Sequence, residues 1–214
     1  IHNTRILYPS TPGQYPALTF FHGFGLDLES YDELLCPVAE QHIVILLQME
    51  FHAISEALDE DAVLIDPYLN DPEKGILGRI GNTIMSGYSY SYLGLAGHSR
   101  GGGVLSHAWT SKYFNDGDYH SVTLIDPVVA KPETDLPNYV KLQNTMLRAI
   151  HFNDPDSVCV THGWLDFGGK LDASDLRVEE ATECRHMDVC SSWVDLLPLC
   201  ISLHQGACKD KARD

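Results

Sequence analysis

The sequence predicts an α/β fold: a doubly wound, mostly parallel sheet with helices on both faces. Three observations carry that reading. Short apolar, β-branched runs recur along the chain, spacers long enough for a helix separate them, and one run passes through a glycine-rich turn directly into a helix-like segment. Such alternation builds parallel βαβ units with right-handed crossovers, and sites in open sheets of this kind lie beyond the carboxyl ends of the strands.

The strand-like runs are 17–21, 43–47, 92–96, 122–125 and 158–161. Each is apolar throughout rather than alternating, as strands covered on both faces should be. Residues 30–40, 53–65 and 101–113 have lengths and apolar spacings that suit helices, so the order reads β-α-β-α-β-α-β. The stretch 127–157 holds Pro127, Pro132, Pro137 and Pro155 and a helix-like piece over 139–150, without an obvious strand. It reads either as a cap over the site or as a plain excursion between strands. Past residue 161 the pattern weakens. No repeat, low-complexity run or linker divides the 214 residues, so a single domain over 1–214 is expected.

Composition narrows the partners. A net charge of −16, from 14 basic and 30 acidic side chains, repels nucleic-acid phosphates and anionic membrane surfaces. A neutral or cationic small molecule fits better. The longest apolar runs fall far short of the roughly 20 residues a spanning helix needs, so a soluble chain without a transmembrane segment is expected. The sequence opens at Ile1 with no basic segment leading into an apolar stretch, and any targeting peptide is expected to have been removed or left out. Of six cysteines (Cys36, Cys159, Cys184, Cys190, Cys200, Cys208), four come from position 184 onward. Disulfides and buried thiols both suit that spacing, and neither oligomeric state nor compartment can be read from it.

The chemistry concentrates at Gly97-His98-Ser99-Arg100-Gly101, with an apolar strand running in and a helix-like segment running out. That is the strand–turn–helix setting of the nucleophile elbow in an α/β-hydrolase fold. A serine at the apex of so sharp a turn needs neighbours without bulk two residues away on each side, which Gly97 and Gly101 supply. The helix beginning there aims its amides at the same point, so the amide of Arg100 is a candidate donor to an oxyanion. A second turn, His22-Gly23-Phe24, follows the first strong strand and offers the amide of Phe24; His22 itself reads as structural.

A serine nucleophile needs a general base and a carboxylate to orient it, in the chain order Ser, acid, His. Asp126 ends the strand after the elbow and is the first choice for the acid; Asp154, Asp156 and Asp166, around the next strand, are the alternatives. His186, in a polar loop before the apolar stretch 193–203, is the first choice for the base, ahead of His162, with His151 and His204 less suitably placed. Cys184, His186, Asp188 and Cys190 are ligand types, but their spacing matches no zinc pattern and a metal would leave the elbow without a purpose. A disulfide bracketing the histidine loop explains the two cysteines better.

Gly97-His98-Ser99-Arg100-Gly101-Gly102, with arginine after the serine, resembles the elbow of chlorophyllases. Asp126-Pro127-Val128, His186-Met187-Asp188 and the turn Phe21-His22-Gly23-Phe24 are similar to the family's acid, base and oxyanion segments. Gly103, Arg185 in place of a glycine, and the degraded run 175–180 depart from it. The resemblance implies hydrolysis of the phytyl ester of chlorophyll by a Ser99, Asp126, His186 triad. It implies a hydrophobic, chlorophyll-like ester as substrate, no cofactor, magnesium only inside that substrate, and a chloroplast location. A broad carboxylesterase or lipase of the same fold is the rival reading; an inactive homologue that binds pigment or lipid is another.

Overall fold

The computed structural model describes residues 3–51, 58–70, 75, 87–110, 117–128, 144–152, 176–181, 186 and 190. A seven-stranded sheet, ordered β1-β3-β2-β4-β5-β6-β7, forms its centre. Edge strand β1 (Asn3–Leu7) runs antiparallel to β3 (Ile43–Gln48). β2 (Gln14–Phe21), β4 (Ser89–His98), β5 (Ser121–Ile125), β6 (Met146–Phe152) and β7 (Leu176–Ala181) join β3 in a parallel array.

β3 shows why the apolar runs are continuous. Ile43, Ile45 and Leu47 enter one core with Phe21, Leu95 and Leu124, whereas Val44 and Leu46 enter the other with Phe20, Ala96 and Ile125. Strand side chains alternate between faces, so only a sheet covered on both sides makes every position apolar. α2 (Leu58–Asn70) and α3 (Arg100–Thr110) cover the first face through Leu58, Ala62, Ile65, Val104 and Leu105. α1 (Asp32–Val38), entered through a 3-10 turn at Glu29–Tyr31, sets Leu34 and Leu35 on the second. Each such buried Leu or Ile contributes ~1.5–3 kcal/mol. Among the described residues no helix is long and apolar enough to cross a membrane.

Four of the five expected runs are strands, and 158–161 lies outside the described residues. The helix expected over 30–40 is shortened to its 3-10 turn and α1. Of the one expected over 53–65, residues 58–65 are helical within Leu58–Asn70 and 53–57 lie outside the described residues, and α3 begins at Arg100, one residue earlier than read. Within 127–157, the helix expected over 139–150 is corrected: Met146–Phe152 is a strand paired with β5. Met, Leu, Arg and Ala are good helix formers, which masked the period of two that puts Leu147 and Ala149 in one core and Ile150 and Phe152 in the other. The charged run 175–180 corresponds to β7, at a sheet edge, where charges discourage further strand addition.

From β3 on one side of β2 the chain crosses to β4 on the other, so the carboxyl ends of β2 and β4 flank the switch in strand order where such sheets bind ligands. α2 is tied to α3 beneath that point. Asp61 Oδ2 accepts from Nε of Arg100 and pairs with its Nη2, both at 2.7 Å, and both side chains are fully buried. Removing one member of a buried pair strands the other charge, so Asp61→Ala is expected to lower the unfolding free energy by ~3–5 kcal/mol. Urea denaturation measures this, and a loss well below ~1 kcal/mol would contradict the pair's importance.

Candidate active site

β4 ends at His98 and α3 starts at Arg100, which leaves Ser99 to turn the chain. It does so at φ 53°, in the left-handed region that residues with side chains rarely adopt. Three backbone bonds hold it there. Its N–H donates to Ile125 O at 3.0 Å, and its carbonyl accepts from Gly103 N at 2.9 Å and Val128 N at 3.0 Å. The turn also demands bare backbone nearby: a Cβ at Gly101 would lie 2.4 Å from Phe21 O, and one at Gly97 2.7 Å from the Gly101 carbonyl carbon. Gly103, the departure noted in the sequence, has its own reason. A Cβ there would sit 2.2 Å from Val128 O, where the chain leaving β5 crosses α3.

Register brings the acid alongside. His98 pairs with Ile125, so Ser99 and Asp126 leave adjacent strands at the same level. Asp126, at φ 38°, donates its N–H to Ile150 O at 2.7 Å, and its Oδ1 accepts from Phe152 N at 3.1 Å. Oδ2 stands 2.6 Å from Nδ1 of His186, whose Nε2 stands 2.8 Å from Ser99 Oγ. A carboxylate accepts, so Nδ1 carries the proton and bare Nε2 accepts from the serine hydroxyl. Ser99, Asp126 and His186 are all buried, at 5%, 5% and 3% exposure, where hydrogen bonds are strengthened by the low local dielectric. This arrangement can take a proton from Ser99 as it attacks a carbonyl carbon and return it to a leaving group.

The turn after β2 meets the elbow from the other side. Phe21 pairs with Gly97, and a Cβ on Gly23 would come within 3.1 Å of Ser99 Cβ. Rings fix this turn. Gly23 N–H donates to Tyr31 Oη at 2.7 Å, and Gly23 O accepts from His22 Nδ1 at 2.7 Å, while His22 Nε2 accepts from Met49 N at 2.8 Å. Gly23 C=O and Phe24 N–H belong to one planar trans peptide and point opposite ways, so fixing the carbonyl aims the amide. His22 therefore acts on the turn through its backbone, as the sequence suggested, and Arg100 N–H opens α3 beside Ser99.

Of the alternatives, Asp154, Asp156, Asp166, His162 and His204 lie outside the described residues, as do Cys184 and Asp188. His151 is in β6. Both nitrogens of His186 face Ser99 and Asp126, and Cys190 is buried against the Tyr31 hydroxyl. A cavity of about 400 Å³ lies elsewhere, between α1 and the sheet, and touches none of the three. Sequence reasoning missed Tyr31, His98 and Asp61; only His98 carried a signal, its place in the elbow motif.

Burial, with His186 beside it, pushes the His98 imidazole down to about 3, and burial also lowers that of His22. Tyr31, His186, Asp126 and His22 are the titratable groups that act on His98. Both rings are neutral in the fold and gain a proton on unfolding in acid, so their contribution to stability is constant above pH 6.5 and falls below it. For His98 the fall amounts to as much as ~1.4 kcal/mol per pH unit. Denaturation midpoints between pH 6.5 and about 5, above most carboxylate titration, should therefore drop less steeply in His98→Gln than in the native chain. Equal slopes would contradict this.

Comparison with known proteins places this geometry. The chain matches the family model described as Chlorophyllase over residues 2–144, a span that includes the elbow and Asp126. No curated protein matches it by sequence. Among solved structures, the ferulic acid esterase of Streptomyces cinnamoneus superposes with TM-score 0.63 at 15% identity, covering 95% of this chain and 65% of that one. Est1E from Butyrivibrio proteoclasticus, solved with ferulic acid, gives 0.61 at 11%, over 99% and 92%. Acyl-protein thioesterase 2 of Zea mays gives 0.55 at 14%, over 86% and 91%. At such identities the structures share the α/β-hydrolase fold alone. With residues 2–144 matched, the chain belongs to the chlorophyllase family of carboxylic ester hydrolases.

Proposed function

We propose that the protein hydrolyses the phytyl ester of chlorophyll, with Ser99 as nucleophile, His186 as general base and acid, and Asp126 as its orienting carboxylate. The observation that carries the reading is the unbroken path Asp126 Oδ2, His186, Ser99 Oγ, with contacts of 2.6 and 2.8 Å, at the tip of the elbow. The family match supports the substrate.

Ser99 Oγ attacks the ester carbonyl carbon while Nε2 of His186 takes its proton, and Asp126 stabilises the imidazolium that results. Charge on the carbonyl oxygen is met by the amides of Phe24 and Arg100, backbone donors that need little reorganisation. Collapse expels phytol, which leaves with the proton from His186. Water then repeats the sequence on the acyl-enzyme and releases chlorophyllide. Phe24, partly exposed on the turn, offers an apolar surface beside the reacting centre for a long alkyl chain.

The test is incubation with chlorophyll a and measurement of chlorophyllide after solvent partition, beside a short p-nitrophenyl ester and a fluorophosphonate probe. Chlorophyllide release, probe labelling at Ser99, and a loss of ~10⁴-fold or more in Ser99→Ala and His186→Ala are expected. Asp126→Asn, which favours the wrong tautomer of His186, should lose ~10⁴-fold. Hydrolysis of the short ester alone would keep the triad and replace chlorophyll with small acyl esters. Failure of the probe to label Ser99 would overturn the nucleophile.

A further inference from the structure

We propose that His98, backed by Tyr31, is a positioning residue that holds the catalytic base by its main chain and links it to the oxyanion turn. The inference rests on the triad reading above. His98 is fully buried behind Ser99, and both of its ring nitrogens are engaged. Nε2 lies 2.8 Å from the carbonyl oxygen of His186, and Nδ1 lies 2.8 Å from Tyr31 Oη, which in turn accepts from Gly23 N–H at 2.7 Å.

The proton positions follow from the two ends. A carbonyl can only accept, so Nε2 carries the hydrogen and Nδ1 is bare. Tyr31 must then donate to Nδ1, which leaves its oxygen to accept from Gly23. One orientation satisfies the whole path: Gly23 N–H to Tyr31, Tyr31 O–H to His98, His98 N–H to His186 C=O. Burial keeps His98 neutral, so this arrangement persists across the working pH range. The rings support one another, with His98 and His186 centroids 4.7 Å apart, Tyr31 edge-on to His98 at 5.7 Å, and Phe20 against Tyr31 at 4.7 Å.

Such a tether matters because the side-chain contacts of a general base change during turnover. The bond between Nε2 and Ser99 disappears as the proton moves, and Nε2 must then address the departing oxygen. The bond to the His186 carbonyl takes no part in the proton transfer and stays throughout. It fixes where the imidazole pivots, and displacement of a reacting group by about 1 Å costs on the order of 10²-fold in rate. The same path ends on Gly23, whose carbonyl sets the direction of the Phe24 amide. Base and oxyanion donor are thereby held in one frame.

Two substitutions separate the links. In His98→Gln the amide nitrogen takes the place of Nε2 and keeps the bond to His186 O; in His98→Asn the side chain reaches Tyr31 but not His186. Asn is expected to lower kcat by roughly 10–100-fold with little change in KM, and Gln to restore most of it. Tyr31→Phe, which removes one oxygen only, should lower kcat by about tenfold, the worth of one hydrogen bond. In the unmodified protein, long-range ¹⁵N spectra should show His98 with hydrogen on Nε2 and none on Nδ1. A hydrogen on Nδ1, equal kcat in the Asn and Gln variants, or native kcat in Tyr31→Phe would overturn the role of His98 even where Ser99→Ala is inactive. An active Ser99→Ala would overturn the triad reading and this inference together.

Discussion

The parallel pairing of β4 with β2 on one side and β5 on the other sets Gly97 opposite Phe21 and His98 opposite Ile125, and the geometry of the mouth follows from it. Strands leave the sheet at a common level, so the residues one step beyond, Ser99, Asp126 and the His22-Gly23 turn, emerge as neighbours although they are far apart in sequence. Slippage by a single residue would exchange the faces of every side chain on the strand and carry Leu95 out of its core. Burial of the apolar runs thus enforces the register, and the register brings these residues together.

Local backbone strain is concentrated where that delivery ends. Ser99 and Asp126 both take positive φ values, an expense of ~1–3 kcal/mol each; Ser99 is fastened to Ile125, Gly103 and Val128, and Asp126 to Ile150 and Phe152 of β6. The same bonds that offset the strain make the two residues hard to move. Around them the polar side chains are buried in pairs with fixed donors and acceptors: His22 with Met49 and Gly23, Tyr31 with His98, Arg100 with Asp61. A site built in this way is organised before substrate arrives.

How much of this was visible in the sequence depended on distance along the chain. The elbow was legible because its demands are local: strand, glycine, serine, glycine, helix within a few residues. Asp126 could be found because it terminates an apolar run. His186 was singled out by chain order and its polar loop, a choice that the family resemblance then matched, because its geometry against Ser99 spans 87 positions and leaves no local pattern. Tyr31 and Asp61 were passed over because their partners, His98 and Arg100, lie 67 and 39 positions away and ordinary helical sequence surrounds them. β6 was misread for a different reason: residues with helical preferences were drawn into a strand by pairing on both sides, a tertiary effect that no local window contains.

The orientation of Arg100 reaches beyond stability. The guanidinium directly after the serine turns inward to Asp61, and both side chains are fully buried. In a chain whose net charge is −16, that cation is thus neutralised inside the fold by one of the 30 acidic side chains. Directed evolution would therefore gain little by randomising residue 100, whose variants would be sorted by expression and folding, whereas the aromatic at position 24 is exposed on its turn and carries no such constraint from burial.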